Sequence, residues 1–216
     1  MNLKVCCIKF FMEQFLSKYN VSRETLGFFS CYINILKEWQ EKMNLVSPNS
    51  LKEVWTRHIA DSYQLYQYLN SDAKLVYDIG SGAGFPAIVL AIAAMVDQRK
   101  AQFKLIESIT KKTVYLNDVK KRLNLNNVEI INERSENLKL NPADFITARA
   151  VANLNKLLSF AHPLSNMNTV LIFPKGQGYV NELAEAQKNW CFNCEVLKSE
   201  VEPQGVVLRL SNLRKK

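Results

Sequence analysis

The stretch Leu75-Val-Tyr-Asp78-Ile-Gly80-Ser-Gly82-Ala-Gly84-Phe85-Pro86 constrains this chain more than any other feature of it. An apolar run of strand composition ends in a turn with three glycines, and a helix-forming stretch follows at once. Without a Cβ, glycine allows left-handed backbone and lets a ligand approach the main chain closely. Pro86 suits the first turn of the following helix. At the carboxyl end of the first strand of a parallel sheet, such a turn is where a ligand binds. A dinucleotide fingerprint, G-x-G-x-x-G, would need its third glycine at position 85, where Phe85 stands. No lysine followed by Ser or Thr closes the loop as it would in a P-loop. Asp78, just before the loop, would repel a pyrophosphate, whereas it suits a ligand with a cationic end.

The spacing Asp78-x-Gly80-x-Gly82-x-Gly84 resembles the loop that holds S-adenosylmethionine (SAM) in Rossmann-like methyltransferases. Glu107 ends the next strand, 23 positions beyond Gly84, where a carboxylate can accept from two ribose hydroxyls. Alone, Glu107 reads as a solvated charge at a strand end, and the loop as a tight turn. Three glycines and two acids in register favour binding over both.

From Leu75 onward, short apolar runs alternate with helical stretches. Candidate strands are Leu75–Ile79, Phe103–Ile106, Val128–Ile131, Phe145–Ala148, Thr169–Phe173, Cys194–Lys198 and Val206–Leu210; candidate helices are Pro86–Val96, Thr110–Leu123, Asn153–Ala161 and Tyr179–Asn189. This alternation predicts an α/β domain with a mostly parallel seven-stranded sheet and crossover helices on both faces. The last two strands, joined around Pro203-Gln-Gly205, form an antiparallel hairpin in this reading. The region before Leu69 has helical periodicity and no convincing strand. Phe29, Tyr32 and Leu36 share one helical face, and Met1–Phe15 reads as helix rather than signal peptide. Ser50-Leu51-Lys52-Glu53 has the form of a capping box and predicts a helix starting at Ser50, its apolar side carrying Leu51, Trp55, Ile59 and Leu65. The division expected is a helical cap over 1–69 and a ligand-binding domain over 70–216.

Lys and Arg number 28 against 20 Asp and Glu, a net charge of +8 that favours a polyanionic partner without requiring one. Cys6, Cys7, Cys31, Cys191 and Cys194 are odd in number and irregularly spaced, which argues for a reducing cytoplasm over a disulfide framework. Cys191-Phe-Asn-Cys194 lacks a second pair or a nearby histidine, so it reads as ordinary packing rather than a zinc or redox site. No apolar run reaches the roughly 20 residues of a membrane span. Neither a metal nor a membrane is expected, and nothing in the pattern demands more than a monomer.

Methyl transfer from a sulfonium depends chiefly on in-line positioning. Enzymes for exocyclic amines commonly carry an N/D-P-P-Y/F motif after the fourth strand; here that strand runs Asp144-Phe-Ile-Thr-Ala-Arg149 without it. No Pro-Cys pair offers the nucleophile of a C5-pyrimidine enzyme. An acceptor with a free lone pair, such as guanine N7, needs neither device. Lys111 and Lys112 open the helix after Glu107, Arg149 follows the fourth strand and Lys175 the fifth, all at the ligand-binding edge. Lys120, Lys121 and Arg122 close a helix and complement its dipole. His58 and Asp61 are one helical turn apart, with either an orienting hydrogen bond or a catalytic role open to them.

Taken together, Asn44-Leu45, Arg57-His58-Ile-Ala-Asp61-Ser62, Asp78 to Pro86, Glu107-Ser-Ile-Thr-Lys111-Lys112, Arg149-Ala-Val-Ala-Asn-Leu154 and Lys175-Gly176 resemble the ribosomal RNA small subunit methyltransferase G family in order and spacing. The resemblance implies SAM-dependent methylation at N7 of a guanine in 16S rRNA of the small ribosomal subunit. It places cofactor contacts at Gly80, Phe85, Ser135, Glu136 and Arg149, to which the loop reading adds Asp78, Gly82, Gly84 and Glu107. His58, Asp61, Lys111, Arg149 and Lys175 line up with substrate-side positions, Arg149 and Lys175 as holders of phosphate or base and His58 and Asp61 as walls of the pocket. Ala87 stands where the family has glycine, and Lys112 where it has arginine, so a phosphate contact there would lose the bidentate fork. A methyltransferase for another RNA, a small molecule or a protein, and a non-enzymatic RNA-binding protein, are the competing readings.

Overall fold

The computed structural model describes Phe15 and residues 17–216. The expected helix over Met1–Phe15, with Cys6 and Cys7, lies outside the described residues except for Phe15. Among the described residues, seven strands form one sheet: β1 (Leu75–Ile79), β2 (Gln102–Ile106), β3 (Val128–Ile131), β4 (Phe145–Thr147), β5 (Val170–Lys175), β6 (Trp190–Lys198) and β7 (Val206–Lys215). Their order is β3-β2-β1-β4-β5-β7-β6, with β1 to β5 parallel and β7 antiparallel to both β5 and β6. The strand order reverses between β1 and β4, which opens a crevice at their carboxyl ends.

Among the described residues five α-helices have eight residues or more: α1 (Arg23–Gln40), α2 (Ala87–Val96), α3 (Thr110–Arg122), α4 (Leu154–Ala161) and α5 (Tyr179–Ala186). The period-2 alternation of the strands sends Val76, Phe103, Leu105 and Phe145 to one face, where α1, α2 and α3 cover them. Tyr77, Ile79, Ile106 and Ile146 go to the other, against α4 and α5. α2 is buried on nearly every side because α1 packs over it, which explains an all-apolar Ala87–Ala94 run. Ser22 caps α1 through the amide of Thr25, and its buried face is Leu26, Phe29, Tyr32, Ile33 and Leu36.

The structure corrects several sequence boundaries. The helix expected from Ser50 starts at Pro48 under a Ser47 cap: Ser50 donates its amide to Ser47 Oγ, and Glu53 sits at the carboxyl end instead of closing a capping box. Proline at the first helical position, with serine just before it, outcompetes the later serine. The helix is also brief. It gives way to a π-helix over Trp55–Ala60, one turn of α-helix over Asp61–Tyr63 and a 3-10 stretch over Gln64–Tyr68. β6 begins four residues before its expected start and β7 runs five beyond its expected end, pairing Trp190 with Lys215. β6 is an edge strand, and beyond Leu210 β7 pairs with β6 alone; stretches of this kind face water and carry polar residues, so alternation does not reveal their full length. No described helix is long and apolar enough to cross a membrane.

Candidate active site

The glycine loop leaves β1 in the left-handed region, with Gly80 at φ 66°, Gly82 at 54° and Gly84 at 90°. At Gly80 a Cβ would lie 2.7 Å from Val151 Cγ2; at Gly84 it would lie 2.7 Å from both Ile88 Cγ1 and the Tyr32 hydroxyl. Tyr32 and Tyr115, both buried, donate to the Ala83 carbonyl, so α1 and α3 hold the loop from beneath. Glu107 holds it from β2: its carboxylate accepts from the amides of Gly82 (2.9 Å) and Ile109 (2.8 Å).

Asp78 is 1% exposed; its Oδ1 accepts from Thr147 Oγ1 at 2.7 Å on the neighbouring strand, while Oδ2 has no partner. Burial raises its carboxyl from 3.8 to about 7, against the lowering pull of the Thr147 and Ser81 hydroxyls. A buried carboxylate with one oxygen unsatisfied fits a ligand that brings a cationic donor, as the methionine ammonium of SAM does.

Two cavities share Val151 as a lining residue, the smaller of them beside Gly80. A cavity of about 130 Å³ is walled by Gly80, Ile106, Ser108, Ser135, Glu136 and Val151. A cleft of about 480 Å³ opens beside it, lined by His58, Asp61, Arg149, Lys175, Glu182 and again Val151. Val151 therefore stands between them. The segment that carries it turns sharply at Ala150, whose φ is 56°.

Arg149 organises the cleft. One terminal nitrogen donates to the Arg57 carbonyl (3.0 Å) and to Asp61 Oδ2 (3.2 Å), and the other to His58 Nδ1 (2.7 Å). Its guanidinium lies 5.0 Å from the Phe85 ring, on which His58 stacks at 4.7 Å and 16°. His58 and Asp61 are thus joined through Arg149 rather than through a bond to each other. Gln64 donates to Asp61 Oδ1 (2.8 Å) and accepts from the amide of Glu200, linking the π-helix region to the β6–β7 turn. Burial, with the charges of Arg149 and Arg57, lowers the His58 imidazole from 6.5 to about 3, so it is neutral at physiological pH. Burial pushes the Asp61 carboxyl up, and Arg149 opposes that.

Lys175 is turned inward. Its ammonium donates to Glu182 Oε2 (2.7 Å) and the Ala152 carbonyl (3.1 Å), and the same Glu182 oxygen accepts from the Leu154 amide (2.7 Å). The 149–154 segment is clamped at one end by Arg149 and at the other by this pair. Lys111 is exposed at the start of α3. Arg122 pairs with Glu38 across to α1, a contact beyond the dipole complementarity expected of it. Cys191 and Cys194 are free thiols on β6, Cys194 exposed rather than packed. Among the described residues no His, Cys, Asp and Glu cluster could hold a metal. Tyr115, Thr147, Gln64 and Glu182 had no sequence signal, and Tyr32 read only as core: each matters through a partner far away in the chain.

The profile of the rRNA small subunit methyltransferase G family matches residues 26–205. The chain belongs to that family. It is 37% identical over 201 residues to the ribosomal RNA small subunit methyltransferase G of Cereibacter sphaeroides, covering 93% of this chain and 97% of that one. With the protein of the same name from Rhodospirillum centenum it is 35% identical over 212 residues, 98% and 95% of the two chains. In architecture it resembles a SAM-dependent methyltransferase of Aquifex aeolicus, with a TM-score of 0.59 and 15% identity over 83% of this chain and 98% of that one. Membership makes the chain a SAM-dependent methyltransferase of small-subunit ribosomal RNA, and the fold is the Rossmann-like one that such enzymes use.

Proposed function

We propose that this chain moves the methyl group of SAM to N7 of one guanine in 16S rRNA, with cofactor and base in the two cavities that Val151 separates. The observation that carries the assignment is the unpartnered Oδ2 of buried Asp78 beneath the glycine loop. In this reading Asp78 takes the methionine ammonium, Glu107 the ribose hydroxyls, and Ser135 and Glu136 border the adenine. Gly80 lines the smaller cavity with bare backbone, while buried Phe85 supports Arg149 and His58. SAM supplies an electrophilic methyl group on a sulfonium.

Everything else falls to the protein. Guanine N7 presents a lone pair and loses no proton, so the cleft needs no general base, in keeping with a neutral His58 locked between Arg149 and Phe85. Arg149 carries a fixed positive charge to the point where the nucleotide enters, with Asp61 and His58 setting its angle. Lys111 stands at the rim for a phosphate. Lys175 acts in this reading by holding the 152–154 backbone through Glu182, since its charge is spent internally. A monomer acting in the cytoplasm is sufficient, with the helical region to residue 69 serving as a cap on the methyltransferase domain of 70–216.

Nucleoside mass spectrometry of 16S rRNA from cells with and without the gene tests the reaction. Loss of N7-methylguanosine at one position, restored by the wild-type gene and not by Gly80→Asp, is the expected result. An unchanged map would move the substrate to another RNA or a small molecule.

A further inference from the structure

The charged side chains that line the cleft come in opposite pairs. Among the described residues its cations are Arg57, Arg149 and Lys175, and its carboxylates are Asp61, Glu182 and Glu202. Arg149 meets Asp61 at 3.2 Å, Lys175 meets Glu182 at 2.7 Å, and Arg57 meets Glu202 at 3.7 Å. With His58 neutral, the lining carries no net formal charge, and a polyanion gains little there while all three pairs stay closed. Two of them are built to stay closed. The Arg149 and Lys175 side chains are 18% and 11% exposed, and each also donates to a backbone carbonyl. The third is loose. The Arg57 side chain is 54% exposed, Glu202 is exposed too, and 3.7 Å is longer than a hydrogen bond. Glu53, the other carboxylate near Arg57, is exposed and 4.0 Å away.

We infer that Arg57 takes a backbone phosphate of the rRNA at the cleft, and that Glu202 holds its guanidinium in place until the RNA displaces it. This rests on the base entering the cleft, as proposed above. Main-chain bonds anchor both partners. The Arg57 amide donates to the Glu53 carbonyl at 2.9 Å, and the Arg57 carbonyl accepts from Arg149 at 3.0 Å. The Glu202 amide donates to Ser199 Oγ at 3.0 Å, and the Glu202 carbonyl accepts from the Gly205 amide at 2.9 Å. The two side chains thus meet from fixed stems, while the attraction between their ends is screened by solvent. A phosphate offers the guanidinium two parallel charge-assisted hydrogen bonds, which Glu202 at this distance does not. The exchange leaves Glu202 in water, where an exposed carboxylate is readily solvated. Arg57 lies close enough for its charge to help lower the His58 imidazole, so a phosphate bound there sits beside the pocket. Arg149 gains a positioning role, since its bond to the Arg57 carbonyl sets where that phosphate contact stands.

Binding and methylation of 16S rRNA from cells lacking the gene test this as a two-residue cycle. For Arg57→Gln, KM for the RNA should rise on the order of tenfold with kcat little changed. The slope of log K against log salt should become smaller by about 1, the loss of one phosphate contact. SAM affinity and Tm should stay at wild-type values, because the substitution keeps the main-chain bonds of residue 57. Glu202→Gln should tighten RNA binding about 1.5- to 5-fold, the range expected when an exposed ion pair no longer competes. Made in the Arg57→Gln background, the same substitution should have little effect, since no guanidinium remains to be released. A gain of equal size in both backgrounds would overturn the pairing and leave Glu202 as a repulsive charge alone. An unchanged salt slope in Arg57→Gln, or lost SAM affinity with KM for the RNA unaltered, would overturn the phosphate contact. If the wild type leaves 16S rRNA unmethylated, the proposed function fails first and the role of Arg57 falls with it. If the wild type methylates one guanine and Arg57→Gln keeps both KM and slope, only the role of Arg57 fails.

Discussion

Replacing Asp78 by Asn should stabilise the cofactor-free protein while removing its grip on SAM. The folded chain raises this carboxyl from 3.8 to about 7 by burying it. Below 3.8 both folded and unfolded chains hold the proton and Asp78 contributes nothing. Between 3.8 and 7 the unfolded chain releases it first, so stability falls as pH rises, and above 7 the full penalty applies. That penalty is about 4 kcal/mol, at 1.36 kcal/mol per tenfold change in proton affinity. Asn keeps an oxygen for the Thr147 hydroxyl, but it places an unmet amide donor where Oδ2 was, at a cost of about 1–3 kcal/mol. The net gain at pH 8 is therefore about 1–3 kcal/mol, or roughly 3–10 °C in Tm for a domain of this size. At pH 5 about 1.6 kcal/mol of the penalty remains, 1.36 kcal/mol for each of the roughly 1.2 pH units above 3.8, and the unmet amide cancels it, so the gain should shrink to near zero. Saturating SAM should reverse the order: at a hundredfold over Kd it adds about 2.7 kcal/mol to the wild type and little to Asp78→Asn. Calorimetric melting at pH 5 and pH 8, with and without SAM, reads all four values. A variant no more stable than wild type at pH 8, or one whose advantage does not change with pH, would refute the account of Asp78.

Three further outcomes follow from the same geometry. Gly80→Ala forces a Cβ to 2.7 Å from Val151 Cγ2 at a φ of 66°, so SAM affinity should drop at least about tenfold, the equivalent of 1.4 kcal/mol. Adding Val151→Ala should restore only part, because the backbone strain stays; wild-type affinity in the single variant by titration calorimetry would contradict the loop placement. Lys175→Met should slow methylation by loosening the 152–154 segment, yet leave the slope of log K against log salt for rRNA binding unchanged; a slope smaller by about 1 would instead make Lys175 a phosphate contact. Arg149→Ala frees Asp61 and His58 at once, so methylation should be lost and stability should fall by about 1–3 kcal/mol; full activity in that variant would remove Arg149 from the centre of the cleft.

The parts of this protein that are local in the chain were legible from residues alone. The turn after β1, the alternation of strands with helices, the acid following β2 and the helical character between Arg23 and Tyr68 all depend on neighbours within a few positions, where glycine, proline and periodicity act directly. The sequence also sets Asp78 just before the loop, where a carboxylate suits a ligand with a cationic end. It could not show that one oxygen is left bare, because Thr147 reaches the other from a strand paired across the sheet. Boundaries were lost where local rules compete, as at Ser47 and Ser50, or where an edge strand faces water, as in β6. The cleft was decided by tertiary structure. His58 and Asp61 are near in sequence, yet what unites them is Arg149, 88 and 91 positions away. Lys175, expected to hold phosphate or base, is paired with Glu182 on the next helix. Partner choice among charges depends on which side chains the packed sheet brings within about 3 Å, and that distance is a property of the fold rather than of any stretch of chain.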